Sequence, residues 1–63
     1  MIINIYKGRK VRHKLDERVI IVRSKEIYDL NKGDWSFRGV YVNKVTGKLE
    51  EDLFIPEEVK SCA

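Results

Sequence analysis

The sequence has little of what metal sites and disulfide-stapled folds need. Its 63 residues include one cysteine, one histidine and one proline. Because Cys62 cannot form a disulfide within the chain, a reducing compartment is favoured and we expect a cytoplasmic protein. A zinc site needs three or four ligands, whereas His13 and Cys62 stand 49 positions apart. We therefore expect no metal and no other cofactor.

Long apolar runs and glycine-rich loops are also missing. No apolar run approaches the ~18 residues that would predict a membrane span, and the first seven residues become charged too soon for a signal peptide. The four glycines are scattered, so they form no phosphate-binding loop. The serines share His13 as their one candidate base, with no spacing typical of a nucleophile. We expect a protein that is not an enzyme.

The length allows one small domain, residues 1–63. A folded chain of this size buries roughly 60% of its surface, which is marginal for a monomer without disulfides or a metal. The hydrophobic content of 43% is nevertheless too high for a disordered tail. Self-association would relieve the marginal burial, so a homo-oligomer is expected slightly more often than a monomer.

Charge is unevenly distributed along the chain. Residues 1–25 carry eight basic side chains against two acidic ones, a net charge of +6. Residues 26–63 carry five basic and eight acidic side chains, a net charge of −3. The densest basic run is residues 7–14, and the densest acidic run is residues 50–58. Such a local basic run indicates nucleic-acid binding better than the overall net charge does.

Short strands are the dominant predicted structure. Period-2 alternation or β-branched apolar residues predict strands at residues 2–6, 9–15, 18–23, 35–43 and 49–55. The continuous apolar run at residues 19–22 predicts a strand covered on both faces. Asp16 and Glu17 read as a tight turn, Gly8 as a bulge or corner, and Thr46 with Gly47 as a hairpin loop.

Two segments are less regular. Residues 24–33 fit either a short helix capped by Ser24 or a strand at residues 26–30 followed by a hairpin loop at 31–34, and we favour the strand. Pro56 ends the preceding strand and begins a helical turn at residues 56–60, with residues 61–63 frayed. The fold class is therefore mostly β: a small antiparallel SH3-like barrel, or a strongly bent sheet of four to five strands.

The strand at residues 9–15 is the strongest candidate site. Its alternation places Val11, His13 and Leu15 on one face and Lys10, Arg12 and Lys14 on the other, with Lys7 and Arg9 leading in. Side chains two apart repeat every roughly 6.5–7 Å, close to the spacing of phosphates along a nucleic-acid strand. Two interpretations assign the strand no binding function. In the first it is a charged edge strand that resists aggregation, and in the second the basic run is neutralised by residues 50–52.

Aromatic residues form the second candidate. Trp35, Phe37 and Tyr41 share one parity, which is typical of a base-stacking platform if the face is exposed. In so small a domain the stripe is more often the core, so we expect Trp35 and Phe37 to be buried. Tyr41 stays free to lie at a rim, where it or Arg38 adds a stacking contact.

Two functions follow from these features. The first is a non-enzymatic β-barrel binding module that contacts the phosphate backbone of nucleic acid with little sequence preference. Its predicted site residues are Lys7, Arg9, Lys10, Arg12, Lys14, Arg38 and Tyr41. The alternative is a protein–protein interaction module, an adaptor, regulator or small inhibitor, that uses a sheet edge or the acidic segment with Glu50, Asp52 and Glu57. Small-ligand binding has no residue signature here and stays open.

Overall fold

The computed structural model describes residues 3–31 and 33–62. Six strands occur within these residues. They are β1 (Lys10–His13), β2 (Val19–Val22), β3 (Ile27–Asp29), β4 (Asp34–Val42), β5 (Leu49–Phe54) and β6 (Val59–Ser61), with a 3₁₀ turn at Pro56–Glu58 before β6. Ile2 of the first predicted strand, Lys32 of the predicted hairpin loop and Ala63 of the predicted frayed end lie outside these residues.

The strands form an antiparallel sheet that curls into a half-barrel. Hydrogen-bonded neighbours follow the order β3-β4-β2-β1-β6, and β5 also pairs with β4. β2 and β3 pair with successive parts of β4, which is the longest strand. Strands account for 49% of the described residues and helix for 5%, so the predicted mostly β fold with a short C-terminal helical turn is confirmed. The strand favoured for residues 26–30 is confirmed as β3.

The sheet has an inner face that holds the core and an outer face with nothing packed on it among the described residues. The buried apolar side chains are Ile5, Val11, Ile20, Val22, Phe37, Phe54 and Val59. Cross-strand partners share a face, and one outer row runs Lys10, Ile21, Val40 and Glu51 across four strands. Alternation then places Glu50 and Asp52 on the inner side of β5, towards its open end.

Two N-terminal predictions are wrong. Residues 3–6 form no strand, although Ile5 is buried and Ile3 packs against the core. A turn at residues 7–8, with Gly8 at φ 92°, redirects the chain into β1, so these apolar side chains cover the core without joining the sheet. Leu15 is 89% exposed because the chain turns immediately after His13. The turn predicted at Asp16 and Glu17 does occur, with Glu17 at φ 63°.

Trp35 does not belong to the core. Its side chain is 51% exposed, whereas Phe37 is buried as predicted. Residues 34–36 of β4 pair with the three-residue β3, beyond the stretch that β2 and β5 flank, so Trp35 packs against Tyr28 and lies outside the core.

The predicted two-sided cover of residues 19–22 is also wrong, because only Ile20 and Val22 are fully buried. Ser61, predicted to be frayed, pairs with Val11 as part of β6.

His13 and Glu58 join β1 to the 3₁₀ turn. The backbone N–H of Leu15 donates to His13 Nδ1 over 3.1 Å, so Nε2 carries the proton and faces Glu58 Oε2 at 3.3 Å. The other oxygen of Glu58 accepts the backbone N–H of Ile55 over 3.0 Å. One carboxylate thus ties the turn to β1 and sets where β6 begins. Within the described residues, no helix is long and apolar enough to cross a membrane.

Candidate nucleic-acid interface

A groove of about 370 Å³ lies where the N-terminal segment passes β1 and β6. Its lining consists of Ile3, Asn4, Arg9, Lys14, Val59, Lys60 and Ser61. The charged members are Arg9, Lys14 and Lys60, and no carboxylate is among the residues that line it. We call it the basic groove. Three cations around one concave surface favour an anionic ligand.

Backbone contacts position the three cations. Arg9 Nη1 donates to the carbonyl oxygen of Asn4 over 2.6 Å, and its guanidinium lies 5.6 Å from the ring centroid of Tyr6. The backbone N–H of Lys14 donates to the carbonyl oxygen of Glu58 over 2.9 Å, which anchors the start of the turn after β1. Lys60 stands on β6 opposite Arg12. The groove is therefore framed by two strands and one tethered segment.

Glu17 is the carboxylate that approaches this surface. Its Oε1 lies 2.9 Å from Lys60 Nζ, and its Oε2 lies 3.9 Å from Arg12 Nε. Its backbone occupies the left-handed region, which is uncommon for a residue other than glycine. Because the three side chains are substantially exposed, these pairs are screened by water and hold Lys60 only weakly.

Lys7 and Lys10 are exposed and make no ion pair with any described residue. Lys10 points to the outer face, in the row that ends at Glu51. Arg12 is half-buried, and its guanidinium contacts both the carboxylate and the carbonyl oxygen of Glu17. The predicted basic strand is thus divided between the basic groove, the outer face and an internal contact.

The acidic residues predicted as an alternative site lie elsewhere. Tyr41 Oη donates to Glu50 Oε1 over 3.3 Å and approaches Asp52 Oδ2 at 3.4 Å on the inner side of the sheet. Partial burial, followed by the negative charges of Asp52 and Glu50, raises the pKa of Tyr41, so the phenol keeps its proton. Lys10 and Arg12 therefore lie on the opposite side of the sheet from these carboxylates, and among the described residues no ion pair joins the basic run to them.

Arg18 completes that inner cluster. Its guanidinium lies 4.4 Å from the ring centroid of Tyr41, and its Nε lies 2.7 Å from Asp16 Oδ2. The aromatic ring is therefore already covered by a cation of its own chain. Tyr41 does not line the basic groove, and its predicted stacking contact stays a prediction.

The other two predicted site residues are exposed and do not line the basic groove. Arg38 lies on the outer face of β4, where its backbone N–H donates to Ser24 Oγ over 3.0 Å. β2 and β1 separate it from the groove. Glu57 is exposed within the 3₁₀ turn and forms no ion pair with another described residue.

Lys60 was missed by the sequence reasoning. Residues 56–60 read as one helical turn, whereas the turn stops at Glu58 and Val59 begins a strand. The signal that was available is the β-branched Val59 between charged neighbours, which fits a short edge strand as well as a helix end. Its pairing with β1 brings Lys60 beside the basic run.

No group of three or more histidine, cysteine or acidic side chains that would hold a metal ion occurs within residues 3–31 and 33–62. Comparisons with protein-family models, with curated proteins and with solved structures give no significant match.

Proposed function

We propose that this chain is a non-enzymatic binding module that contacts the phosphate backbone of nucleic acid. One observation carries the proposal: the basic groove places Arg9, Lys14 and Lys60 around a concave surface whose lining includes no carboxylate. Phosphate contacts of this kind give affinity without sequence preference.

The surroundings of the basic groove support the same ligand. Lys7 is exposed and stands two residues before Arg9, so it adds positive charge beside one of the groove's cations. Glu50 and Asp52 are on the other side and already accept hydrogen bonds from Tyr41 or Asn43. The basic surface is consequently not neutralised by the acidic half of the chain.

The test is fluorescence anisotropy with labelled single- and double-stranded DNA and RNA between about 50 and 200 mM salt. Combining Arg9→Gln, Lys14→Gln and Lys60→Gln should weaken binding about tenfold or more at low salt. The slope of log affinity against log salt on duplex DNA should fall by up to about 2.7, because each lost phosphate contact removes about 0.9.

The matched control removes three positive charges away from the basic groove, with Lys25→Gln, Lys44→Gln and Lys48→Gln. It should weaken binding much less, and equal losses in the two triple variants would contradict the groove in favour of net charge alone. Glu17→Gln should strengthen binding, because it releases Lys60 and Arg12 from their carboxylate partner. Circular dichroism checks that each variant stays folded.

A second candidate function is a protein–protein interaction module, favoured by the β3–β4 hairpin. Ile27, Tyr28, Leu30 and Trp35 are all exposed there. The rings of Tyr28 and Trp35 meet edge to face with centroids 5.4 Å apart. Exposed tryptophan and tyrosine side chains are typical anchors of protein interfaces.

The two candidates are separated by cross-linking pull-downs run with the anisotropy assay. A protein-binding module should lose its captured partner on Trp35→Ala, or on charge reversal of Glu50, Asp52 and Glu57 to Lys, while nucleic-acid affinity stays or rises. A partner that survives both changes but is lost with the basic-groove triple variant would rule out this second candidate.

A further inference from the structure

The outer face of the sheet carries an uncovered apolar strip. It consists of Val19, Ile21, Val40, Val42 and Leu49, contributed by β2, β4 and the start of β5. Together with Arg18, Tyr41 and Lys44, these side chains line a shallow depression of about 390 Å³. Ile21 is 38% exposed and Leu49 is 73% exposed. We call this set the outer strip.

The chain exposes more surface than its size requires. Its accessible area is 4726 Å², whereas a folded monomer of this mass is expected to expose roughly 4,200 Å². The surplus of about 500 Å² is of the order of what one partner buries in a small specific interface. A second protein surface packed against the outer strip would bury this surplus accessible area.

Charge along the outer face is arranged with opposite signs at its two sides. The row across the four strands runs Lys10, Ile21, Val40 and Glu51, with Cα partners in register. Lys10 and Glu51 are both exposed and are separated by three strand spacings, about 14 Å, so they do not pair within one chain. This row, which is positive, then apolar and then negative, is complementary to itself.

We propose that the outer strip is the interface of a homodimer. The two copies pack face to face about a two-fold axis that runs parallel to the strands between β2 and β4. This rotation exchanges the two sides of the strip, so Lys10 faces Glu51 of the second copy and Ile21 faces Val40 of the second copy. Sheets packed face to face with nearly aligned strands are a common arrangement.

The proposed dimer is independent of the nucleic-acid proposal. Arg9, Lys14 and Lys60 are not part of the outer strip, and the basic groove lies beyond β1 from the axis. The rotation places the two basic grooves at opposite sides of the dimer, so neither is covered. Loss of the dimer and loss of nucleic-acid binding are measured separately.

Sedimentation equilibrium of nucleic-acid-free protein, from about 1 µM to about 1 mM, tests the proposal. The wild-type chain should dimerise. Lys10→Glu and Glu51→Lys should each raise the dimer Kd about tenfold or more, because each creates two like-charge contacts per dimer. The double variant with both changes should return to within about threefold of the wild-type Kd.

Mixing the two single variants gives the sharpest result. A heterodimer of the Lys10→Glu chain with the Glu51→Lys chain has opposite charges at both contacts, so the mixture should associate more tightly than either variant does alone. A two-fold axis perpendicular to the strands would set Lys10 against Lys10 and would give no such rescue.

Two further variants secure the test. Lys25→Glu changes an exposed charge outside the outer strip and should leave the Kd unchanged. Val42→Lys places a charge within the outer strip at an exposed position and should abolish the dimer without disturbing the core. A wild-type chain that is monomeric at about 1 mM, or a dimer unaffected by Lys10→Glu, would overturn the proposal.

Discussion

Several side chains in this small chain make contacts with more than one partner. Arg18 illustrates this at the scale of one residue: its Nε pairs with Asp16, and its guanidinium covers the ring of Tyr41. Tyr41 in turn donates its hydroxyl to Glu50 and packs its ring edge against Phe54. These polar and aromatic contacts connect the segment before β2 to β4 and β5 on the inner side of the sheet.

Asp16 gives this cluster a pH dependence. A hydrogen bond from the backbone N–H of Arg18 over 3.1 Å, together with the Arg18 guanidinium, holds the pKa of Asp16 below its ordinary value of 3.8. A carboxylate whose pKa is lower in the folded state adds stability above its unfolded pKa and loses it as the pH falls through the folded value.

We therefore expect Asp16→Asn to lower the Tm at pH 7, where the wild-type carboxylate is ionised in both states. The difference from wild type should shrink as the pH falls from about 4 towards 2, where both states become protonated. Thermal melts followed by circular dichroism at several pH values measure it. A difference that is the same at pH 7 and pH 2 would show that Asp16 acts only through its shape.

At the scale of one element, β4 is the strand on which the fold depends. It pairs with β2, β3 and β5, and it carries Gly39 at the point where β2 and β5 flank it together. A Cβ atom at Gly39 would overlap Cγ2 of Ile20 and would lie 3.2 Å from Cδ2 of Phe54. The absence of a side chain lets two core residues meet over the centre of the strand.

Gly39→Ala should accordingly lower the free energy of unfolding by about 1–3 kcal/mol, because the buried Ile20 side chain has little room to move. Arg38→Ala, at the adjacent exposed position of the same strand, is the matched control and should change stability by no more than about 0.5 kcal/mol. Urea unfolding of both variants compares them. A Gly39→Ala chain as stable as the control would mean that the core relaxes around the added methyl group.

The strands also show which elements a local sequence pattern can predict. β2, β4 and β5 were predictable because β-branched or alternating residues continue over at least four positions. Residues 3–6 have the same composition but do not pair, and β6 is too short for any period to be seen. Whether an apolar segment joins a sheet depends on where the turn at Gly8 sends the chain, which no local pattern encodes.

At the scale of the whole molecule, the curled sheet separates the charges. Lys10 and Arg12 are distant in sequence from Glu50 and Asp52 and lie on the opposite face of the sheet, whereas Glu17 forms an ion pair with Lys60. Seven apolar side chains form the buried core among the described residues, and all lie on the inner side or at its ends. The outer strip therefore lies on the face of the sheet opposite the core, and it shares no residue with the basic groove. Mutations can accordingly test the two proposals separately.

The sequence by itself determined the mostly β fold, most of the strands, the turns and the presence of a concentrated basic segment, because these depend on residues within about ten positions of one another. The tertiary structure decided which cations share a groove, that Trp35 is exposed while Phe37 is buried, and that Lys10 and Glu51 end one outer row. Those outcomes depend on strand register and on where each strand ends, and a shift of one residue reverses the face of every side chain. Register is set by packing across the whole sheet, so it appears only when the chain has folded.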